Sequence, residues 1–275
     1  MNNLFNPQSG IVPSVLASDL DGTLIPLPNS AFNYDDLISI KEMLIESNAS
    51  VVFATGRHFE SVIEAIDQYD LPTPDWIVCD VGSAIYKRVL DGFECFDIYA
   101  AHLVEVAGGV NRQAIEDALA SVDGLAMQPP DHQQQFKISY QSTSNSVNQL
   151  VDEINQRLNE ANLSYDCMGS VDPFLNCGLI DVMPRGISKA YALLWLSTHA
   201  NFHPNEVIYA GDSGNDLAAL ISGFRAIIVA NSSEGLEGKV RASLAQRGLA
   251  DRLYVAQSTA SSGVLEGCRH FGLFA

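Results

Sequence analysis

Short, solidly apolar runs alternate with helix-periodic stretches at both ends of the chain. Residues 11–18 form the first such run, opened near Pro13 and ending abruptly in Asp19-Leu20-Asp21-Gly22-Thr23. That pattern predicts a buried strand running into a loop. Leu37, Ile40 and Leu44 share a helical face, Val51-Val52-Phe53-Ala54 is a second strand ending at Thr55-Gly56-Arg57, and Val62, Ile63, Ile66 and Tyr69 mark the next helix. Trp76-Ile77-Val78-Cys79 predicts a third strand, with residues 81–86 turning back as a hairpin. Alternation of this kind implies a parallel sheet covered on both faces.

From residue 93 the texture changes. Gln, Asn and Ser accumulate, as in Gln133-Gln134-Gln135, and the strand at residues 136–140 alternates instead of being solidly apolar. A helix carrying Val147, Leu150, Val151, Ile154 and Leu158 follows, then strands near residues 164–168 and 179–183. Alternating strands pair antiparallel with one wet face, which predicts a separate, smaller α+β domain over residues 93–183. The first texture then returns: a helix over residues 190–196, the strand Val207-Ile208-Tyr209-Ala210, a helix at 217–221, and strands at 226–230 and 253–255. The expected fold is therefore α/β, a Rossmann-like parallel-sheet core (residues 1–92 and 184–275) with an inserted cap domain (93–183).

Length and composition sharpen this picture. With 275 residues, 47 % of them hydrophobic and 17 % charged, the chain is long enough for one large or two modest folded domains. Its formal charge of −18 offers no basic footprint for nucleic acid or an anionic membrane. No run approaches the length of a membrane span, and residues 1–10 lack the charged and apolar regions of a signal peptide. Five widely spaced cysteines without a CxxC pair suggest neither a disulfide framework nor a zinc site, so a cytoplasmic location is expected.

An open parallel sheet binds ligands beyond the carboxyl ends of its strands. Asp19 and Asp21 lie at one such end, Thr55-Gly56-Arg57 at the next, and Gly211-Asp212-Ser213-Gly214-Asn215-Asp216 at the strand after the insert, with Lys189 opening a helix between. Converging Asp19, Asp21, Asp212 and Asp216 would repel, because two unit charges about 4 Å apart cost roughly 4 kcal/mol at an effective dielectric near 20. A cation is implied, and an all-oxygen ligand set with room for water and phosphate favours Mg²⁺. Thr55, loop amides around Gly56, and Lys189 could hold phosphoryl oxygens. Two aspartates at i, i+2 suggest a division of labour, with Asp19 attacking phosphorus and Asp21 serving as acid and base.

These motifs, in this order, resemble the four motifs of the haloacid dehalogenase phosphatases, and the likeness spans residues 14–230. The resemblance implies Asp19 as nucleophile, Asp21 as acid/base, Thr55 and Lys189 as phosphate binders, and Asp19, the carbonyl of Asp21 and Asp212 as metal ligands. Asn215 and Asp216 would assist the metal and phosphate shell. A narrower set, Thr73-Pro74-Asp75-Trp76, residues 81–86, Phe136-Lys137-Ile138-Ser139-Tyr140, Asp181-Val182-Met183-Pro184 and the tail at 261–271, is similar to sucrose-phosphate phosphatases. That likeness implies a phosphorylated sugar or disaccharide as substrate, sucrose 6-phosphate first and mannosylfructose phosphate next.

Plainer readings stand beside these. A lone Asp-x-Asp-Gly-Thr is often a solvated turn; Arg57 could be a surface cation pairing with Asp or Glu; and Lys137 could point outward from a cap strand instead of touching sugar. His58 reads as peripheral. A sugar phosphomutase would use the same aspartyl phosphate, and a regulatory sugar-phosphate-binding module would have no need for both Asp19 and Asp21, which are both present.

Overall fold

A computed structural model of the chain describes residues 11–107, 112–172 and 177–274. The chain divides into two compact units, residues 1–94 with 188–275 and residues 95–187. In chain order the larger unit begins with β1 (Val15–Ser18), α1 (Ala31–Ser47), β2 (Ser50–Ala54), α2 (Phe59–Tyr69), β3 (Trp76–Cys79), β4 (Ala84–Val89) and β5 (Gly92–Cys95). The smaller unit holds α3 (Asp97–Val106), α4 (Arg112–Leu119), β6 (Ala126–Met127), β7 (Ile138–Thr143), α5 (Val147–Glu160), β8 (Tyr165–Asp172) and β9 (Cys177–Pro184). The larger unit resumes with α6 (Lys189–His199), β10 (Val207–Gly211), α7 (Leu217–Leu220), β11 (Arg225–Ile228), α8 (Leu236–Gln246), β12 (Leu253–Val255) and α9 (Ala260–His270). A break at 92/93 falls inside β5 and one at 183/184 inside β9, so both compact units divide a few residues later.

The large sheet has the order β12-β11-β10-β1-β2-β3-β4-β5. β12 through β3 run parallel, and β4 returns antiparallel on β3, as the hairpin pattern predicts. From β1 the chain winds one way to β2 and β3 and, after the insert, the other way to β10 and β11. That reversal is a topological switch point, where the loops diverge and leave a crevice. The apolar faces of Leu16, Phe53, Ile208 and Ile227 pack with Leu37, Ile40 and Leu44 of α1 and with Val264 and Cys268 of α9.

The smaller unit has an antiparallel sheet in the order β6-β7-β9-β8. Ile138, Tyr140, Ile180 and Val182 turn one face toward Val147, Leu150, Ile154 and Leu158 of α5. The helix presses so closely that a Cβ at Gly169 or at Gly178 would lie 2.5 Å from a Val147 methyl. A side chain at either strand position would push α5 off the sheet.

Helices α3, α4, α8 and α9 are additions to the sequence expectation. The absence of an α9 prediction has a physical cause: Gly263 and Gly267 interrupt the helical pattern, yet their missing side chains let α9 lie on β11. A Cβ on Gly263 would meet Val229 at 2.9 Å, and one on Gly267 would fall on Ile227. Glycine costs about 1 kcal/mol against alanine in a helix, and the close packing offsets that cost. Among the described residues no helix is long and apolar enough to cross a membrane.

Candidate active site

Three elements converge at the switch point. Asp19 is the first residue beyond β1, and its N–H donates to the Ala210 carbonyl of β10 (3.0 Å), which ties the loop to the neighbouring strand. Gly22 turns that loop with φ +74° and lies against the β10 loop; a Cβ there would come 2.5 Å from Asp212 Oδ2. Thr23 Oγ1 donates to Asp212 Oδ1 at 3.2 Å. The two acidic motifs, distant in sequence, thus touch through backbone and hydroxyl.

Lys189 is the first residue of α6 and is completely buried. Its Nζ lies 2.9 Å from Asp19 Oδ1 and 2.7 Å from Asp216 Oδ1. Burial pulls the ammonium toward neutrality, but Asp19 and Asp216 together outweigh it and hold Lys189 above its ordinary value. For Asp19 burial is the main upward push; Lys189 opposes it, while Asp216, Asp212 and Asp21 add to it. The two directions conflict, since a charged Lys189 calls for a charged Asp19. The 2.9 Å contact to a fully buried ammonium favours the ionised pair.

Asp19, Asp212 and Asp216 each offer a carboxylate oxygen within 4.8 Å of the others. Burial and then Asp216 push Asp212 up to about 7, with Lys189 and the Thr23 hydroxyl opposing. Such crowding of hard oxygen donors is what a small divalent cation relieves, so the donor set fits Mg²⁺.

Asp216 is held differently from the other two. Its Oδ1 accepts from Lys189 Nζ (2.7 Å) and from the Tyr209 hydroxyl (2.5 Å), and its Oδ2 accepts from the N–H groups of Asp212 (3.1 Å) and Ser213 (3.0 Å) and the Ser213 hydroxyl (3.3 Å). Lys189, Tyr209 and the two backbone N–H groups alone match the roughly four lone-pair sites of a carboxylate, and the Ser213 hydroxyl divides its proton between Asp216 and Asn215 Oδ1 (3.1 Å). Asp21 also stands apart, as its carboxylate takes a bidentate pair from Arg57, Nε at 2.7 Å and Nη2 at 2.6 Å. Of the four aspartates expected as metal ligands, the side chains of Asp19, Asp212 and Asp216 come together, whereas the Asp21 carboxylate is turned to Arg57 and the Asp216 oxygens are already taken by protein donors.

Thr55 is buried at the end of β2, and Gly56 approaches Asn215, whose Nδ2 lies 3.8 Å from where a Gly56 Cβ would be. Arg57 is partly buried and pairs with Asp21, the carboxylate partner that the plainer reading allowed it, and its Nη1 also reaches Ser61. The backbone at residues 80–82 turns left-handed three times in succession, at φ +51°, +57° and +103°. In that turn Asp80 N–H reaches the Arg57 carbonyl and Val81 N–H the Thr55 carbonyl, each at 3.0 Å. Gly82 packs so tightly on Ser188 that a Cβ would collide with its carbonyl. The turn therefore buttresses both the Thr55 loop and the start of α6. His58 caps α2, accepting from Ser61 N–H at 3.3 Å, and is peripheral. Lys137 lies in the smaller unit just before β7; it is buried, where the plainer reading pointed it outward.

Sequence reasoning missed Tyr209 and Asn231. Tyr209 sits in an aliphatic strand and looked like core. Asn231 Nδ2 donates to the Gly22 carbonyl (2.7 Å) while its Oδ1 accepts from Ala260 N–H (2.8 Å), pinning the first acidic loop to the start of α9. An Asn shortly beyond a predicted strand end was the available signal.

The sequence matches the family described as Sucrose-6F-phosphate phosphohydrolase over residues 12–272. The chain belongs to this family. Like the family's other members it is a haloacid dehalogenase superfamily phosphatase, a phosphoric monoester hydrolase. The structure of sucrose-phosphatase from Synechocystis sp. PCC6803, solved with sucrose and phosphate, superposes with a TM-score of 0.78 at 27 % identity, covering 95 % of this chain and 98 % of that one. Mannosylfructose-phosphate phosphatase of Agrobacterium fabrum is 26 % identical over 260 residues, covering 94 % of this chain and 97 % of that enzyme. Sucrose-phosphatase 1 of Nicotiana tabacum is 24 % identical, and the match covers 94 % of this chain but 59 % of the tobacco enzyme.

Gly22 provides a direct test of the acidic pocket. Gly22→Ala forces a left-handed alanine, which costs about 1–2 kcal/mol, and drives its methyl into Asp212. The expected result is a raised cation requirement with the fold retained, read by titrating activity with Mg²⁺ and recording the circular dichroism spectrum.

Proposed function

We propose that this phosphatase is Mg²⁺-dependent and hydrolyses a phosphorylated disaccharide, sucrose 6-phosphate first, through an aspartyl phosphate on Asp19. The observation that carries the reading is the buried Lys189 bridging Asp19 and Asp216 beside Asp212, at the carboxyl ends of β1 and β10. Family membership over nearly the whole chain supports the sugar phosphate. Mannosylfructose phosphate remains the second substrate to test, because a relative of that activity matches at full length.

In this reading an Asp19 oxygen attacks phosphorus in line with the leaving sugar oxygen, forming the Asp19–phosphorus bond as the ester bond breaks. Lys189 and Thr55 hold phosphoryl oxygens and offset their charge. Asp21, once out of the Arg57 fork and carrying a proton taken from solvent, gives that proton to the departing sugar oxygen and then takes one from the water that cleaves the aspartyl phosphate, which returns Asp19 as a carboxylate. Asp21 acts only after leaving the Arg57 fork, so Arg57 sets where its carboxylate waits. Asp19, the Asp21 carbonyl and Asp212 would hold Mg²⁺, which when bound supplies charge compensation for the phosphoryl group. The smaller unit, as the cap, would select the sugar, with Lys137 as a candidate contact. Free thiols at all five cysteines suit a reducing cytoplasm.

The test is phosphate release from sucrose 6-phosphate, mannosylfructose phosphate, trehalose 6-phosphate, glucosylglycerol phosphate and hexose monophosphates, with Mg²⁺ and with EDTA. The expected outcome is a lead of at least roughly 100-fold for sucrose 6-phosphate, the discrimination that a few polar sugar contacts provide, and loss of release in EDTA. An isomeric sugar phosphate in place of inorganic phosphate would make the enzyme a mutase. Equal turnover in EDTA would remove Mg²⁺ from the reading.

A further inference from the structure

The hydroxyl of Tyr209 is the feature of this site that the chemistry above leaves unused. The residue is completely buried in β10, where Val207, Ile208 and Ala210 are aliphatic, and a phenylalanine would fill the same space. A buried hydroxyl costs free energy unless it is paired, and this one is paired with a single atom, Asp216 Oδ1, at 2.5 Å. That oxygen is also the one that faces Lys189 Nζ at 2.7 Å. Lys189 in turn faces Asp19 Oδ1 at 2.9 Å. The hydroxyl therefore stands two contacts away from the attacking carboxylate, along a line of buried polar atoms.

We propose that Tyr209 is a positioning residue for phosphoryl transfer: by filling the last lone pair of Asp216 it leaves the Lys189 charge directed at Asp19 and the phosphoryl group. Asp216 Oδ2 is already occupied by two backbone N–H groups and the Ser213 hydroxyl, so Oδ1 is the only oxygen whose balance can change. With Tyr209 in place, Oδ1 shares its electron density between two donors. Without the hydroxyl, the same oxygen pairs with Lys189 alone, draws the ammonium toward itself, and regains a lone pair that competes for a cation. Both changes weaken the grip on phosphate without removing any group that touches it.

This inference rests on the phosphate-holding role given to Lys189, and its test separates the two. Tyr209→Phe is compared with the wild type for kcat and KM on the best substrate of the panel and, independently of turnover, for orthophosphate affinity by calorimetry in Mg²⁺. Losing one hydrogen bond to a charged group corresponds to roughly a tenfold effect or more, so the variant is expected to bind orthophosphate about tenfold more weakly and to lose kcat by a similar factor. In an Asp216→Asn background the same substitution is expected to change neither quantity, because the group it acts through is altered. A variant that melts earlier but keeps wild-type kcat and orthophosphate affinity would reduce Tyr209 to a packing role and overturn the proposal. If Tyr209→Phe fails to fold, Tyr209→Leu is measured in its place, with the same outcomes. A wild type whose orthophosphate affinity falls in Tyr209→Phe yet which turns over none of the panel would defeat the substrate reading and leave this inference standing.

Discussion

Asp19→Asn is expected to abolish phosphate release, lowering kcat by roughly four orders of magnitude or more while the protein remains folded. Removing a nucleophile leaves only binding and charge stabilisation, and in hydrolases that act by covalent intermediates the loss is of this order. The fold should tolerate the change because an amide occupies the same volume and keeps an oxygen toward Lys189 at the position now 2.9 Å away. One buried negative charge disappears from a crowded set, so the melting temperature in EDTA is expected to hold or rise. The check is steady-state release together with a melt, and trapping with radiolabelled substrate should show label on the wild type and none on Asp19→Asn. Retained turnover in the variant would remove Asp19 from the nucleophile's place.

Lys189→Met should act on stability as well as on activity. The ammonium is the fully buried cation between two buried carboxylates, at 2.9 Å from Asp19 and 2.7 Å from Asp216. Breaking a buried ion pair by removing one partner costs about 3–5 kcal/mol, since the remaining charge stays in the interior. Urea unfolding in EDTA should show a loss of that size. Added Mg²⁺ should return part of it by compensating Asp19, whereas Asp216 keeps four other donors in either case. A variant as stable as the wild type would mean that the carboxylates take up protons at little cost, and the charged pair inferred from the geometry would fall.

Much of this site was legible in the chain because its residues lie at the ends of runs that read clearly as strands. Asp19 follows residues 11–18 and Asp212 follows Val207-Ile208-Tyr209-Ala210, so the parallel sheet alone brings the two loops together. Lys189 was placed at a helix start, where the structure has it. Other features depend on atoms that periodicity does not reveal. The saturation of Asp216 needs the Ser213 and Asp212 backbone to turn toward it. The Asp21 and Arg57 fork joins two separate loops. Tyr209 read as core because its ring is core; only the end of the side chain is polar. Helix α8 carries Leu236, Val240 and Leu244 at a legible helical spacing, whereas α9 is obscured by the glycines that its packing requires.

The position of β1 bears on how the chain is made. This strand lies between β2 and β10, and β10 emerges only after the entire smaller unit has been synthesised. Residues 95–187 are contiguous and carry their own apolar core, so they have what they need to fold while the ribosome is still at work. Throughout that interval the backbone of β1 is unpaired on the side that β10 will occupy, with the apolar Leu16 and Ala17 at its centre. An unpaired edge of this kind invites other strands. Asp19, just beyond β1, and Asp212, just beyond β10, therefore come together only when Val207 pairs with Val15, after the whole of the smaller unit has been made.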